Sequence, residues 1–300
     1  MRLLLTGATG FIGRHVLALP LPADGTIHAL SSRPISSRGM LFSHPQVHGH
    51  QVDLRDHAAV ATLVADLSPT HLLHLAWDLS GNFYTAEANV AWIGHSMHLL
   101  RAFQAAGGHR AVLMGTCVEY DVTAGWCVEG QTPLQPHTLY GKSKHALQQQ
   151  AAAFAEDTRL SLAWLRLFST YGPGQPVQRL VPAAIDALTA GTVLPVSHGH
   201  QIRDYLHVYD IARACRAVVQ GTVTGPLNLA SGQPVQVADV LQTIGALLHR
   251  PHHFDWGANE APPHDPPCLI GPNQRLREAT GWHPFFTLQT GLRQVLNAQA

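Results

Sequence analysis

One octapeptide, Thr6-Gly7-Ala8-Thr9-Gly10-Phe11-Ile12-Gly13, constrains this chain of 300 residues more than any other stretch. It follows Arg2-Leu3-Leu4-Leu5, a short apolar run that reads as a buried parallel strand. It precedes His15-Val16-Leu17-Ala18-Leu19, which reads as the start of a helix. Strand, glycine-rich turn and helix N-terminus together make a pyrophosphate site. Glycines permit the tight turn and close backbone approach, and the helix end offers unpaired N–H groups and a positive dipole.

The chain beyond it fits that beginning. Short apolar runs at Thr26–Leu30, 47–52, 71–76, 111–114 and 162–165 alternate with helical patterns. In the helix expected over 89–106, for example, Val90, Ile93, Met97 and Leu100 share a face. This alternation predicts an α/β fold with a doubly wound parallel sheet and a ligand along the carboxyl ends of its strands. From about Tyr171 the chain turns to Pro- and Gly-punctuated pieces, with helical patterns at 208–220, 235–249 and 288–297.

Composition excludes several classes. Nineteen basic and nineteen acidic residues cancel, so nothing favours nucleic acid or an anionic membrane surface as partner. No apolar stretch is long enough to span a bilayer, and Gly7 breaks the opening leucine run too early for a signal peptide. Cys117, Cys127, Cys215 and Cys268 show no C-x-x-C spacing, which points to a reduced, cytoplasmic compartment. The 21 histidines form no H-E-x-x-H or comparable carboxylate-supported set, so no metal site is expected, and their number has no explanation in the sequence.

The Gly-x-x-Gly-x-x-Gly spacing, together with Tyr140-Gly141-Lys142-Ser143-Lys144, resembles the extended short-chain dehydrogenase/reductase family. That family includes nucleotide-sugar epimerases, dehydratases and ketoreductases. The resemblance runs from Met1 to about Leu296. It implies a Rossmann-type domain over 1–170 and a small substrate-binding lobe over 171–300, interleaved with a return strand of the main sheet. It also implies a homodimer through the helices starting near Asn89 and Thr138.

For the cofactor, the resemblance places Gly7, Thr9, Gly10, Phe11, Ile12, Leu54, Leu75, Ala76 and Trp77 along a dinucleotide. Where NAD users carry an acidic residue, this chain has Ser31-Ser32-Arg33, with Arg38 close behind. A 2′-phosphate suits hydroxyls and a guanidinium, so NADP(H) is favoured and NAD(H) remains possible. Asp53 resembles the acidic residue that meets the adenine amino group, although a helix N-cap aspartate would read the same.

Tyr140 and Lys144, at i and i+4, share a helix face. A free tyrosine has a pKa of about 10, and a nearby ammonium is expected to lower it toward useful proton transfer. Thr116, just past the fifth strand, completes the catalytic set that the resemblance implies. Sugar 4,6-dehydratases carry an Asp-Glu pair after this threonine, and here Cys117 and Val118 stand there instead. Elimination needs that extra acid and base, so a dehydratase is disfavoured. Trp77 replaces a usually small residue and narrows the pocket. Substrate contacts are expected from Trp77, Thr116, Cys117, Ser169, Val181, Arg203 and Arg275, with Arg203 of Arg203-Asp204-Tyr205 binding a diphosphate. The expected activity is NADPH-dependent reduction of the C4 keto group of an NDP-4-keto-6-deoxysugar. The alternatives are an NAD-dependent NDP-sugar 4-epimerase, a reductase of a non-nucleotide carbonyl, or a non-catalytic cofactor sensor.

Overall fold

The computed structural model describes residues 1–21, 24–33, 44–260 and 265–298. The amino-terminal part alternates strand and helix: β1 (Arg2–Thr6), α1 (Phe11–Leu17), β2 (Thr26–Ser31), β3 (Val47–Gln51), α2 (His57–Leu67), β4 (His71–His74), α3 (Ala88–Ala105), β5 (Arg110–Thr116), α4 (Leu139–Thr158) and β6 (Ser161–Leu167). The remainder mixes short strands and helices: β7 (Ser169–Tyr171), α5 (Leu180–Thr189), β8 (Leu194–Val196), β9 (Ile202–His207), α6 (Val208–Gln220), β10 (Gly225–Leu229) and β11 (Pro234–Gln236). It closes with α7 (Val237–Leu247), β12 (Phe254–Trp256), β13 (Cys268–Leu269), α8 (Gln274–Thr280) and α9 (Leu288–Asn297).

Seven parallel strands form the main sheet in the order β3-β2-β1-β4-β5-β6-β10. The continuous apolar strands follow from covering both faces. Leu3 and Leu5 pack on one side with Val16 of α1 and Ile211 and Cys215 of α6, while Leu4 packs on the other with Val60, Leu100 and Leu147 of α2, α3 and α4. The same two-residue alternation divides Leu73 from Leu72 and Leu165 from Trp164. The chain from 171 onward is not confined to a lobe, because α6, β10 and Leu276 of α8 return to the sheet and its core. A third core, under α5, α7 and α9, holds the lobe together around Tyr171, Ile185, Leu241 and Leu292. No helix among the described residues is long and apolar enough to cross a membrane.

Element ends differ from the sequence expectation where backbone contacts decide them. Helix α1 starts directly off the glycine turn rather than at His15. Strand β4 stops at His74, after which Leu75 N still reaches Thr6 O at 3.3 Å and Ala76 N meets Thr6 Oγ1 at 3.3 Å. The helix expected from residue 235 yields its start to β11, which pairs with β9. Strand order reverses between β1 and β4, so the loops after these two strands flank the switch point where doubly wound sheets take their ligands.

Candidate active site

The glycine turn lies at that switch point. Gly7 has a φ of +68°, and a Cβ there would stand 2.9 Å from Ala76 N. A Cβ on Gly13 would meet Gly7 O at 2.2 Å, and Gly10 N bonds Gly7 O at 2.9 Å. The turn is therefore closed against both β4's exit and α1. No side chain caps α1 at Gly10 and no acidic residue sits in its first turn. A cradle of this shape fits a pyrophosphate, the group that a nicotinamide dinucleotide would place here. Thr9 Oγ1 and Ser31 Oγ lie 3.2 Å apart, and Ser31 Oγ also accepts from Arg33 N at 3.1 Å. The end of β2 is thus tied to the turn, with Ser32 and Arg33 exposed beside it. Arg38 lies outside the described residues.

Asp53 is not the helix cap. Asp56 caps α2 by accepting from Ala59 N at 3.0 Å, while both Asp53 oxygens face the Arg55 guanidinium, the shorter contact being 2.6 Å. Hydrogen bonds from Arg55 hold the Asp53 carboxyl below the usual range. Leu54, expected along the cofactor, gives its side chain to the core with Leu30 and Val60.

Thr116, Tyr140 and Lys144 converge at the carboxyl end of β5. Helix α4 is started by Thr138, whose hydroxyl accepts from Gly141 N at 3.0 Å, and it presents Tyr140 and Lys144 one turn apart. Lys144 Nζ donates to Met114 O at 2.8 Å and sits 3.8 Å from the centre of the Trp77 ring. Burial pushes this ammonium down to about 7, with Glu119 opposing. The expected lowering of the Tyr140 pKa is reversed. Burial raises it well above the ordinary value, and the hydrogen bond with Thr116 offsets this only in part. Tyr140 therefore rests as the neutral phenol. His74, beneath Lys144, is held between Thr6 Oγ1 at 2.7 Å and Ser96 Oγ at 2.9 Å, and burial drives it down to about 3.

Glu119, fully buried, carries the best-enclosed charge near the site. Its carboxylate accepts from Thr116 N (2.8 Å), Trp164 Nε1 (3.0 Å) and Arg166 Nε (2.9 Å). The Arg166 guanidinium also lies 4.6 Å from the centre of the Tyr120 ring and donates to its hydroxyl at 3.1 Å. Tyr120 passes the chain on to Asn228 Oδ1 of β10 at 2.8 Å. This network fixes the backbone beneath Thr116.

The substrate-side residues are brought together unevenly. Cys117 lies beside Tyr140, its thiol pushed up to about 12 by burial. Ser169 follows β6 by one residue and opens β7, which pairs with β9. Arg203 of β9 forms an ion pair with Asp265, and its charge acts on both the Cys117 thiol and the Tyr84 hydroxyl. Two expectations are corrected. Val181 is buried in the lobe's core with Ala184 and Ile185, so its side chain belongs to packing. Arg275 donates to Thr224 O at 2.8 Å, just before the amino end of β10, on the opposite edge of the sheet from Tyr140.

Three residues were missed. Phe83 stands edge-on to Tyr140 at 5.2 Å, and Tyr84 O accepts from Tyr140 N at 3.1 Å. Arg179, just before α5, places its guanidinium 5.2 Å from the Phe83 ring centre. The signal was two adjacent aromatics in the polar loop Ser80-Gly81-Asn82-Phe83-Tyr84, where no core pattern explains them. Among the described residues no three His, Cys, Asp or Glu side chains are placed to hold a metal.

A seven-stranded parallel sheet with a glycine cradle at its switch point, and a Thr-Tyr-Lys cluster on the same edge, defines a dinucleotide-dependent enzyme of the doubly wound class. A model of the NAD dependent epimerase/dehydratase family matches residues 3–230, and the chain belongs to that family, within the extended short-chain dehydrogenases/reductases. A UDP-glucose 4-epimerase of Rhizobium leguminosarum bv. trifolii is 28% identical over 329 aligned positions, covering 97% of this chain and 95% of its own. A dTDP-glucose 4,6-dehydratase of Neisseria gonorrhoeae is 26% identical, covering 98% of this chain and 94% of its own. The structure of the Thermotoga maritima UDP-glucose 4-epimerase with UDP-glucose superposes with a TM-score of 0.88 at 20% identity, covering 100% of this chain and 98% of its own.

Proposed function

We propose that this chain moves hydride to and from C4 of a nucleotide sugar, with interconversion of the C4 epimers as the net reaction. The observation that carries the reading is the Thr116–Tyr140–Lys144 cluster standing without a second acid–base pair. Cys117, with its thiol at about 12, and the apolar Val118 occupy the two positions that elimination would need. The full-length likeness to a UDP-glucose 4-epimerase supports the same choice. The glycine cradle, with Leu75, Ala76 and the Thr9–Ser31 contact, would hold the dinucleotide, which when bound accepts and returns the hydride.

The chain's own residues handle the proton. The neutral Tyr140 phenol that burial enforces is the form that donates to a carbonyl oxygen. Taking the proton back requires the phenolate, which the Lys144 charge one helical turn away favours. Thr116, whose backbone N–H donates to Glu119, fixes the reacting oxygen beside Tyr140 with its hydroxyl. The Arg203 and Arg179 charges both act on the Tyr84 hydroxyl, and these two guanidinium groups are suited to a diphosphate, with the lobe of α5, β8, β9 and β12 taking the nucleotide. Two copies pairing through α3 and α4 belong to the same reading.

Net reduction of a 4-keto-6-deoxy sugar by NADPH is the second reading. Ser31-Ser32-Arg33 favours it, since no carboxylate stands at the end of β2 to select against a 2′-phosphate. The purified protein should be denatured to identify any retained dinucleotide, then assayed with UDP- and dTDP-hexoses and with a 4-keto-6-deoxy NDP-sugar. Interconversion of 4-epimers without net change in nicotinamide absorbance is expected. Stoichiometric NADPH consumption would transfer the assignment to the reductase, and neither activity would overturn both.

A further inference from the structure

Lys144 is a buried ammonium without a carboxylate of its own. Among the described residues no ion pair includes it, and Glu119, which senses its charge, is already engaged by Thr116, Trp164 and Arg166. The other titratable groups around it are His74 of β4, held neutral by burial, and Tyr140 of its own helix, itself neutral, with Cys117 beyond. Beside the Met114 carbonyl, which accepts from Nζ at 2.8 Å, what meets the ammonium is an aromatic face. Its Nζ lies 3.8 Å from the centre of the Trp77 ring.

That ring is anchored. Trp77 Nε1 donates to Asn89 Oδ1 at 2.8 Å, and the Asn89 amide nitrogen donates to Phe83 O at 2.7 Å and Ala86 O at 2.8 Å. Trp92 packs against its other flank at 5.8 Å. Turning the indole away from Lys144 would break the Asn89 bond inside the protein, since Asn89 is itself buried. We propose that Trp77 is a positioning residue whose indole face acts as the counter-charge for Lys144, keeping its ammonium protonated and aimed at the carboxyl edge of the sheet at neutral pH. The negative face of an indole attracts a cation most strongly where water is excluded, and tryptophan is the best of the aromatic residues at this. An aromatic face also stabilises the charge without a formal anion competing for the ammonium's hydrogen bonds. Burial, opposed by Glu119, brings Lys144 down to about 7, so a modest contribution from the ring decides its charge at neutral pH. The bearing on turnover rests on the function proposed above, whereas the ring–ammonium contact does not.

The composition makes the contact directly measurable. The chain has two lysines, Lys142 and Lys144, of which Lys142 is exposed. Labelling lysine with ¹³C and ¹⁵N therefore gives two side-chain signals, the exposed one serving as internal reference. In the parent protein the Lys144 ε-methylene protons should be shifted upfield by the indole and should titrate near neutrality. In Trp77→Leu, which keeps an apolar side chain but removes the π face, the upfield shift should vanish and the titration midpoint should fall by about one pH unit. Trp77→Phe should fall by less, and it carries the test if the leucine variant does not fold. A midpoint unchanged or raised in the folded variants would overturn the proposal, whatever the enzyme's activity proves to be.

Discussion

Glu119→Gln replaces one oxygen by an NH₂ group in an ion pair whose side chains are 0% and 2% exposed. Thr116 N, Trp164 Nε1 and Arg166 Nε all point donors at the carboxylate. A glutamine in the same place keeps one acceptor and adds two donors. One of the three N–H groups must therefore face another donor, and the Arg166 charge is left unpaired. Breaking a buried pair by removing one partner costs about 3–5 kcal/mol. With a urea slope of about 3 kcal/mol/M, the unfolding midpoint should fall by about 1–2 M. Turnover should fall as well, because the lost acceptor either frees Thr116 N or shifts the turn that sets its hydroxyl against Tyr140. Urea unfolding followed by circular dichroism, with turnover measured well below the new midpoint, reads both effects. A stability loss below about 1 kcal/mol would refute the reasoning, for it would mean that the donors find other acceptors at almost no cost.

Three further outcomes follow from the geometry. Tyr140→Phe should lower turnover by roughly 10²–10⁴-fold while dinucleotide affinity, measured by titration, is retained; a near-normal rate would remove Tyr140 from proton transfer. Arg203→Ala should raise KM more than it lowers kcat and should abolish competition by free UDP or dTDP. An unchanged KM would leave the diphosphate to Arg179. Burial lowers His28, His71 and His207 to about 4 and His74 to about 3, so the unfolded chain takes up protons near pH 6.5 that the folded chain refuses until lower pH. Stability should therefore fall as pH drops from about 6.5 toward 4, and urea midpoints independent of pH across that window would contradict these assignments.

Much of the cofactor edge was legible because its signals are local. A turn between Leu5 and Val16, an i, i+4 pair at Tyr140 and Lys144, and a strand end at Thr116 each occupy a few consecutive residues. Burial on both faces forces long apolar strands, so β1, β2 and β5 could be located to within two or three residues. What composition could not convey was competition between charges. The Lys144 ammonium was expected to lower the Tyr140 pKa, yet both groups lose water together, and burial is the largest influence on each. Glu119 carried no signal in the sequence because its partners, Trp164 and Arg166, lie a strand away in β6.

The edge proposed for the substrate was harder to read for a geometrical reason. Its walls come from the loop at Phe83 and Tyr84, the start of α5 at Arg179, β9 at Arg203 and the segment at Asp265, four places with no shared spacing. Arginines in such regions carry the same chemistry in sequence, and only strand direction separates them. Strand β10 runs parallel to β6, so Thr224, which receives Arg275, must lie at the amino edge. Arg203, by contrast, lies on β9, whose Tyr205 pairs with Ser169 just beyond the carboxyl end of β6. Strand direction thus places two identical side chains at opposite edges of the main sheet, and of the two it is Arg203 that lies on the edge carrying Tyr140.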